Sequence, residues 1–390
     1  MFQSAQRMQY FQEHFFASLN ARLADLRSGD ADIIRLDEGA PDLPPAPHII
    51  ETLARAAGRP DAHSYQPQRG FAELRQAWAE MYQRVYGVTV DPELEVLPLL
   101  GSKEGIAHLP LAVVNPGEVV IAPDPGYVTY TRGTRLAGGE PYYLPVQPEL
   151  EYIPDLQAVP PGILKRARLL WLNYPNNPTT ATASLDFFTR AVEFARQNRL
   201  ILCHDAAYTQ LCFNGYRAPS LLEVPGAKEV CVEFNTLSKS HNMAGWRVAA
   251  VLGHPALIKS LHSLKTNIDS GHFRPVMEAA AAAMTGDQAW LQDRNEIYRM
   301  RRDVVIQALL QLGIETSVPR ASLYVWFKVP PGHTSGGFAS ALLERVHVSL
   351  TPGPVFGPGG EGFIRLSLTA PLEKVEEAMV RLKKFVKENT

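Results

Sequence analysis

Neither sign of charge dominates this 390-residue chain: 38 lysines and arginines stand against 40 aspartates and glutamates, for a net charge of -2. The absence of a one-sign field argues against nucleic acid or an anionic membrane surface as partner and towards small molecules. Cysteine is scarce, with three residues (Cys203, Cys212, Cys231) and no Cys-x-x-Cys spacing. An odd count of this kind points to buried thiols in a reducing compartment, not to a disulfide framework or a metal site, and no metal is expected. Long uncharged runs are missing too, the longest being interrupted by "NPG" and "YPNNP", so no membrane span is expected. The first 26 residues carry charges throughout and lack the apolar centre of a signal peptide. Their Phe11, Phe15, Leu19, Leu23 and Leu26 recur at helical spacing, as in a helix packed on its own protein or on a partner subunit. A cytoplasmic protein is expected.

What is present is alternation. The short apolar runs "EVVIAP", "RLLWLN", "RLILCHD", "EVCVEF" and "WRVAAVLG" are separated by helical patterns such as "SLDFFTRAVEFARQN". That is the pattern of an α/β unit whose mostly parallel sheet lies between helical layers. The segment "AELRQAWAEMYQRVYG" places Leu74, Trp78, Met81 and Val85 on one helical face and stops at Gly87, where a left-handed cap is expected. Beyond about residue 285, a long charged helical pattern is followed by "SLYVWFKV", "VHVSLTPG" and "GFIRLSLT", read as antiparallel strands, and by a last helix. This predicts residues 1–45 as an N-terminal arm and part of a small domain, 46–285 as a large domain, and 286–390 as a smaller α+β domain. The proline-rich "APDLPPAPH" reads as an extended connector.

In open α/β sheets ligands bind beyond the carboxyl ends of the strands, and five such ends carry polar residues here. In "LLGSKEG", Gly101, Ser102 and Lys103 open a helix, as a phosphate site or as a plain N-cap. Tyr127 follows the turn in "IAPDPGYVTY", as a stacking ring or an ordinary loop aromatic. "WLNYPNNPTT" sets Asn177 ahead of Pro178, as an amide donor or as part of a structural turn. Asp205 ends the apolar run in "LILCHDAAY", with Tyr208 three residues on; a carboxylate there needs a cation or several donors, from a salt bridge or from a ligand. "EFNTLSKSHNMAGWRVAAVLG" gathers Thr236, Ser238, Lys239 and Arg247 in one turn. One ligand uses all of these groups. Pyridoxal 5'-phosphate has an aldehyde that takes a lysine amine, a ring nitrogen that holds its proton beside a carboxylate, and a phosphate that takes hydroxyls and arginine.

With "PDPGY", "YPNNPT", "HDAAY", "SKSHNMAGWR" and "FIRLSLT" in this order, nearly the whole chain resembles the fold-type I, class I/II aminotransferases, three-layer α/β enzymes that depend on pyridoxal phosphate. "LPLLGSKEGIAHLPLAVVNPGE", "TNIDSGHF" and "YVWFKVP" look most like the LL-diaminopimelate aminotransferase branch. The resemblance implies ping-pong transfer of an amino group from an amino acid to a 2-oxo acid, with 2-oxoglutarate as acceptor; a lyase or decarboxylase on the same scaffold is the alternative. It implies that Lys239 is the Schiff-base lysine and proton carrier, that Asp205 pairs with the ring nitrogen, and that Tyr208 and Asn177 hydrogen-bond the ring oxygen. Tyr127 is implied to stack on the ring, and Ser102, Lys103, Thr236, Ser238 and Arg247 to surround the phosphate. Tyr65 of "SYQPQRG" is implied to reach in from the second subunit of a homodimer. For the substrate, the resemblance makes Arg365 the clamp on the α-carboxylate and Gly39 a place where backbone lies close to it. By its strand alternation alone, Arg365 also reads as a solvent-facing residue.

The chain departs from that branch at Glu38, Gln68, Arg69, His272 and Arg274. These charges and polar groups predict an altered substrate pocket, with an acidic or diaminopimelate-type donor expected over an aliphatic one.

Overall fold

The computed structural model describes residues 3–11 and 15–389. After a short strand β1 (Ile34–Arg35), seven strands build the central sheet: β2 (Val96–Leu99), β3 (Val119–Asp124), β4 (Glu140–Pro145), β5 (Ala167–Asn173), β6 (Ile201–Asp205), β7 (Cys231–Thr236) and β8 (Ala249–Gly253). They lie in the order β2-β8-β7-β6-β5-β3-β4, with β8 antiparallel to both neighbours and the remaining pairs parallel. The five apolar runs read from the sequence are β3, β5, β6, β7 and β8. Of the two edge strands, β2 was legible only by its end ahead of Gly101 and β4 not at all; they contain Pro98, Pro141 and Pro145, and proline, lacking an N–H, is tolerated in sheets chiefly at edges.

Period-two alternation divides the sheet's side chains between two cores. Val119, Ile121, Leu170 and Leu172 pack on one face with helices Ala72–Tyr86 and Leu185–Asn198. Val120, Ala122, Leu169 and Trp171 pack on the other with helices Ser102–Val113 and Pro255–Lys265. Each large apolar side chain buried this way contributes about 1.5–3 kcal/mol, and both sheet faces are covered. The result is the expected three-layer sandwich. Leu74, Trp78 and Met81 are buried in the first of these cores, Val85 packs at its margin, and Gly87 ends their helix with φ 69°. The Ser184 hydroxyl caps helix Leu185–Asn198 by accepting from the Phe187 N–H at 3.1 Å.

A separate core surrounds an antiparallel sheet of β9 (Tyr324–Lys328), β12 (Phe363–Ser367) and β11 (Thr351–Pro352), together with β10 (Val348–Ser349) paired in parallel to β1. The segment "VHVSLTPG", expected as one strand, divides at Leu350. Ser349 pairs with Arg35 and Thr351 with Arg365, so its two halves serve different sheets. Ala207, Tyr208, Leu211 and Phe213, which follow β6, belong to this core. Asp205, at the end of β6, therefore lies on the seam between the two sheets.

Of the N-terminal apolar series, Leu19 and Leu23 lie on helix Phe15–Ser28 and pack on Leu343, while Phe11 closes a separate turn of 3-10 helix, Gln6–Tyr10. The connector has no regular structure around residue 40 and is pinned in place. Arg301 donates to both Asp42 oxygens at 2.8 and 2.9 Å, and the Asn242 amide donates to the Pro44 carbonyl at 3.1 Å. All three cysteines are free thiols, two of them buried. No helix among the described residues is long and apolar enough to cross a membrane.

Candidate active site

A cleft of about 290 Å³ opens at the carboxyl ends of the central strands. It is lined by Gly39, Ser102, Lys103, Tyr127, Asn177, Asp205, Tyr208, Thr236, Ser238, Lys239, Arg247 and Arg365, every site residue named from the sequence except Tyr65, and by Ala207 and Tyr324 in addition. Tyr65 is 95% exposed and does not line the cleft within one chain.

Asp205 forms the floor. Its backbone carbonyl accepts from the Asn173 amide at 2.7 Å, and its Oδ2 accepts from the Tyr130 hydroxyl at 2.9 Å. Tyr130 in turn stacks on Trp171, with ring centroids 4.9 Å apart. Oδ1 is buried and has no partner at hydrogen-bond geometry among the described residues. Leaving such an atom unpaired costs about 1–3 kcal/mol or more when charged. Burial raises the carboxyl from 3.8 to about 6, against the opposing pull of Tyr130, His204, the Ala207 N–H and Lys239. The floor is thus an ionisable group with one oxygen held and one reserved.

Lys239 is carried on the turn after β7, where the Thr236 hydroxyl accepts from the Ser238 N–H at 3.1 Å. The buried Arg294 guanidinium donates to the carbonyls of Lys239 and Ser240 and fixes this turn from below. Across the cleft, Lys239 Nζ donates to the Gly39 carbonyl at 2.5 Å. Burial, then the positive charges of Arg365 and Arg247, lower its amine from 10.5 to about 8, so a useful fraction is neutral and nucleophilic near neutral pH.

A cationic corner adjoins it. Helix Ser102–Val113 starts at Gly101, whose φ of 85° favours glycine; an added Cβ there would stand 1.9 Å from Arg247 Nη2. The missing side chain lets the guanidinium lie across the helix start, beside Ser102, Lys103 and Ser238. Arg247 itself adopts φ 61°, and its carbonyl is held by the buried His272 imidazole at 2.9 Å. Hydroxyls, free helix N–H groups and the two cations Lys103 and Arg247 converge here on a space suited to a phosphate.

Arg365 is buried, at 4% exposure, which overturns the solvent-facing reading. Its Nη1 donates to Asn177 Oδ1 at 2.9 Å and its Nη2 to the Asp37 carbonyl at 3.0 Å, while its face lies on the rings of Tyr324 and Phe356. Nε is buried and has no hydrogen-bond partner among the described residues. Tyr324 also meets Tyr208, hydroxyl to hydroxyl, at 3.0 Å, and leaves no room for a Cβ on Gly39, which would sit 2.5 Å from the Tyr324 oxygen. Sequence reasoning missed Tyr130, Tyr324, Asn173 and Arg294. Tyr130 had the clearest signal, standing three residues after Tyr127.

The five departures do not alter this cleft within one chain. Glu38 pairs with Arg35, Arg274 pairs with Asp61 and Glu278, and Gln68 reaches the Thr266 carbonyl at 3.5 Å. Arg69 is half-buried with an unpartnered Nε away from the cleft, and His272 lies beneath Arg247. Within one chain, neighbouring charges and a backbone carbonyl satisfy most of them.

The sequence matches the family described as aminotransferase class I and II over residues 31–382. This chain is a class I and II aminotransferase. An LL-diaminopimelate aminotransferase of Moorella thermoacetica is 46% identical to it over 384 residues, 98% of each chain, and one of Dehalococcoides mccartyi is 43% identical over 381 residues, again 98% of each. Among solved structures, substrate-bound BacF of Bacillus subtilis is similar with a TM-score of 0.95 at 35% identity, covering 99% of this chain and 98% of its own. A single mutant of Thermus thermophilus aspartate aminotransferase is similar with a TM-score of 0.92 at 29% identity, covering 98% and 100%. The aminotransferase has the fold type I architecture and depends on pyridoxal 5'-phosphate to move amino groups; the lyase alternative is not favoured.

Proposed function

We propose that the cleft holds pyridoxal 5'-phosphate between Asp205 and Lys239 and transfers the amino group of a donor with two charged ends, of the LL-diaminopimelate kind, to 2-oxoglutarate. The observation that carries this reading is the buried, unpartnered Oδ1 of Asp205, facing a cleft that also contains a lysine amine of lowered pKa and a cationic corner. When bound, the cofactor supplies an aldehyde that condenses with amines and a ring that accepts the electron pair released at the substrate α-carbon.

The chain's own residues do the rest. Asp205 Oδ1 holds a proton on the ring nitrogen, and Tyr130 keeps the carboxylate turned for it. Tyr208 and Asn177 orient the ring through its oxygen, and Tyr127 covers its face. Ser102, Lys103, Thr236, Ser238 and Arg247 bind the phosphate. Arg365 grips the substrate α-carboxylate with its fork and the free Nε, while Lys239 Nζ takes the α-proton and returns it. The diaminopimelate-type donor is supported by the relatives named for that activity at 41–46% identity.

The same reading includes a homodimer, supported by the near-complete exposure of Tyr65, which serves the phosphate only if a second subunit carries it there. It also includes a cytoplasmic setting, supported by the unpaired thiols, and domains of 46–285 and 286–390 with an arm of 1–45, supported by separate cores. The test is to incubate the loaded protein with LL-diaminopimelate or glutamate and no acceptor. Stoichiometric recovery of pyridoxamine 5'-phosphate is expected; release of carbon dioxide or ammonia instead would establish a decarboxylase or lyase.

A further inference from the structure

The two rings that lie against Arg365 are held in different ways. Tyr324 belongs to β9, where strand pairing fixes its backbone and Tyr208 meets its hydroxyl. Phe356 belongs to no strand. It ends a turn of 3-10 helix, Gly353–Phe356, in the stretch between β11 and β12, and its ring centroid lies 4.6 Å from the guanidinium carbon. What holds this stretch comes from the central sheet.

The end of β3 grips it at two points. The Gly126 N–H donates to the Phe356 carbonyl at 2.8 Å, and the Gly359 N–H donates to the Asp124 carboxylate, 3.0 Å from Oδ1 and 3.1 Å from Oδ2. The approach is close enough to require glycine: at Gly357, with φ 125°, an added Cβ would stand 2.2 Å from Asp124 Oδ1, and at Gly359 one would stand 3.0 Å from the Asp124 carbonyl oxygen. Asp124 is buried, and that burial raises its carboxyl above the ordinary 3.8, opposed by the Gly359 N–H and by no cation among the described residues. An apolar residue would be buried here at less cost; what the carboxylate adds is a bond to the turn that carries Phe356.

We propose that Asp124 is a positioning residue for the α-carboxylate clamp: by holding the turn at 356–359 it keeps the Phe356 ring against Arg365 and so sets the guanidinium for the substrate. Asp124 does not line the cleft, and it acts through Phe356. The assignment rests on the reading of Arg365 as the clamp and extends that site to a residue outside it. A ring face attracts a desolvated guanidinium only while the two stay in contact, so a loosened turn is felt at Arg365. The bond to Gly359 needs an acceptor and not a charge, and an amide oxygen would serve as well.

Binding of 2-methylglutamate, whose α-carbon carries no proton to lose, tests this without turnover. It is titrated into the loaded enzyme and its Kd read from the cofactor absorbance. Arg365→Lys should weaken binding about tenfold or more through loss of the fork. Asp124→Ala should weaken it roughly five- to tenfold with the cofactor Kd held within about twofold, because only the bed of the clamp is disturbed. Asp124→Asn, which keeps an acceptor, should stay within about twofold of wild type. In a Phe356→Ala background, Asp124→Ala should add less than about twofold, a non-additivity that a general loss of packing would not give. Gly357→Ala pushes the same turn away from Asp124 and should reproduce Asp124→Ala; thermal unfolding of each variant identifies a folding defect, and the glycine variant keeps the test open if Asp124→Ala fails to fold. An unmoved Kd in Asp124→Ala, equal losses in Asp124→Asn and Asp124→Ala, additive losses with Phe356→Ala, or a matching rise in the cofactor Kd overturns the proposal and leaves the clamp standing. Binding that is absent, or indifferent to Arg365→Lys, removes the clamp and the proposal with it.

Discussion

The floor of the cleft and its outer rim carry comparable numbers of charged groups and use them in opposite ways. At the floor, Asp205, Lys239 and Arg365 are desolvated, held by neighbours, and left with an amine or unpaired atoms facing the cleft. At the rim, Glu38 and Arg274 are already paired with Arg35, Asp61 and Glu278 and keep contact with water. A buried charge without a full set of partners stores a demand for a ligand, whereas an exposed pair is worth only about 0–1 kcal/mol and asks for nothing. Chemistry should therefore be sensitive to the floor and indifferent to the rim.

The contrast is steepest at Lys239. Lys239→Ala should lower transamination by about a thousandfold or more while the cofactor still binds through its phosphate, since nucleophile and proton carrier are lost together. Stopped-flow measurement of the donor half-reaction reads this directly. Next, Asp205→Asn should cost about a hundredfold or more, because an amide cannot stabilise a protonated ring nitrogen, against about tenfold for Tyr208→Phe, which loses one hydrogen bond. Equal rates in the two variants would remove the distinction between reserved and held groups.

Stability against pH probes the same desolvation. In cofactor-free protein the Lys239 amine has a pKa of about 8 against 10.5 for an ordinary lysine, so its burial as a cation costs stability below pH 8, and the cost fades as pH rises towards 10.5. Lys239→Met should therefore unfold at higher denaturant than wild type at pH 7, with the advantage shrinking above pH 8. A constant advantage across that range would show that the amine is not desolvated. The smallest effect belongs to the rim: Glu38→Gln and Arg274→Gln should change the preference among glutamate, LL-diaminopimelate, alanine and leucine by less than about twofold. A large shift in kcat/KM ratios in either variant would return the rim to the pocket.

The same physics explains which parts of the molecule are legible in its amino-acid sequence. Buried strands announce themselves as apolar runs, so a carboxylate closing one, as Asp205 does, or a lysine in the turn after one, as Lys239 does, stands out against its surroundings. Edge strand β4 was hidden by Pro141 and Pro145, which interrupt its apolar pattern, and β2 showed only its end ahead of Gly101. Tyr130, Tyr324 and Arg294 were missed because their importance lies in what they touch, up to 116 residues away in the case of Tyr324 and Tyr208. Pairing within the chain is equally hidden: Glu38 and Arg274 look unpaired in a one-dimensional string until Arg35 or Asp61 is seen beside them.

The cleft's assignment stands or falls on which lysine carries the cofactor, and borohydride reduction of the loaded enzyme, followed by digestion and mass spectrometry, identifies it. A single adduct on Lys239 is expected; an adduct on Lys103 or any other lysine, with Lys239 unmodified, would contradict the assignment.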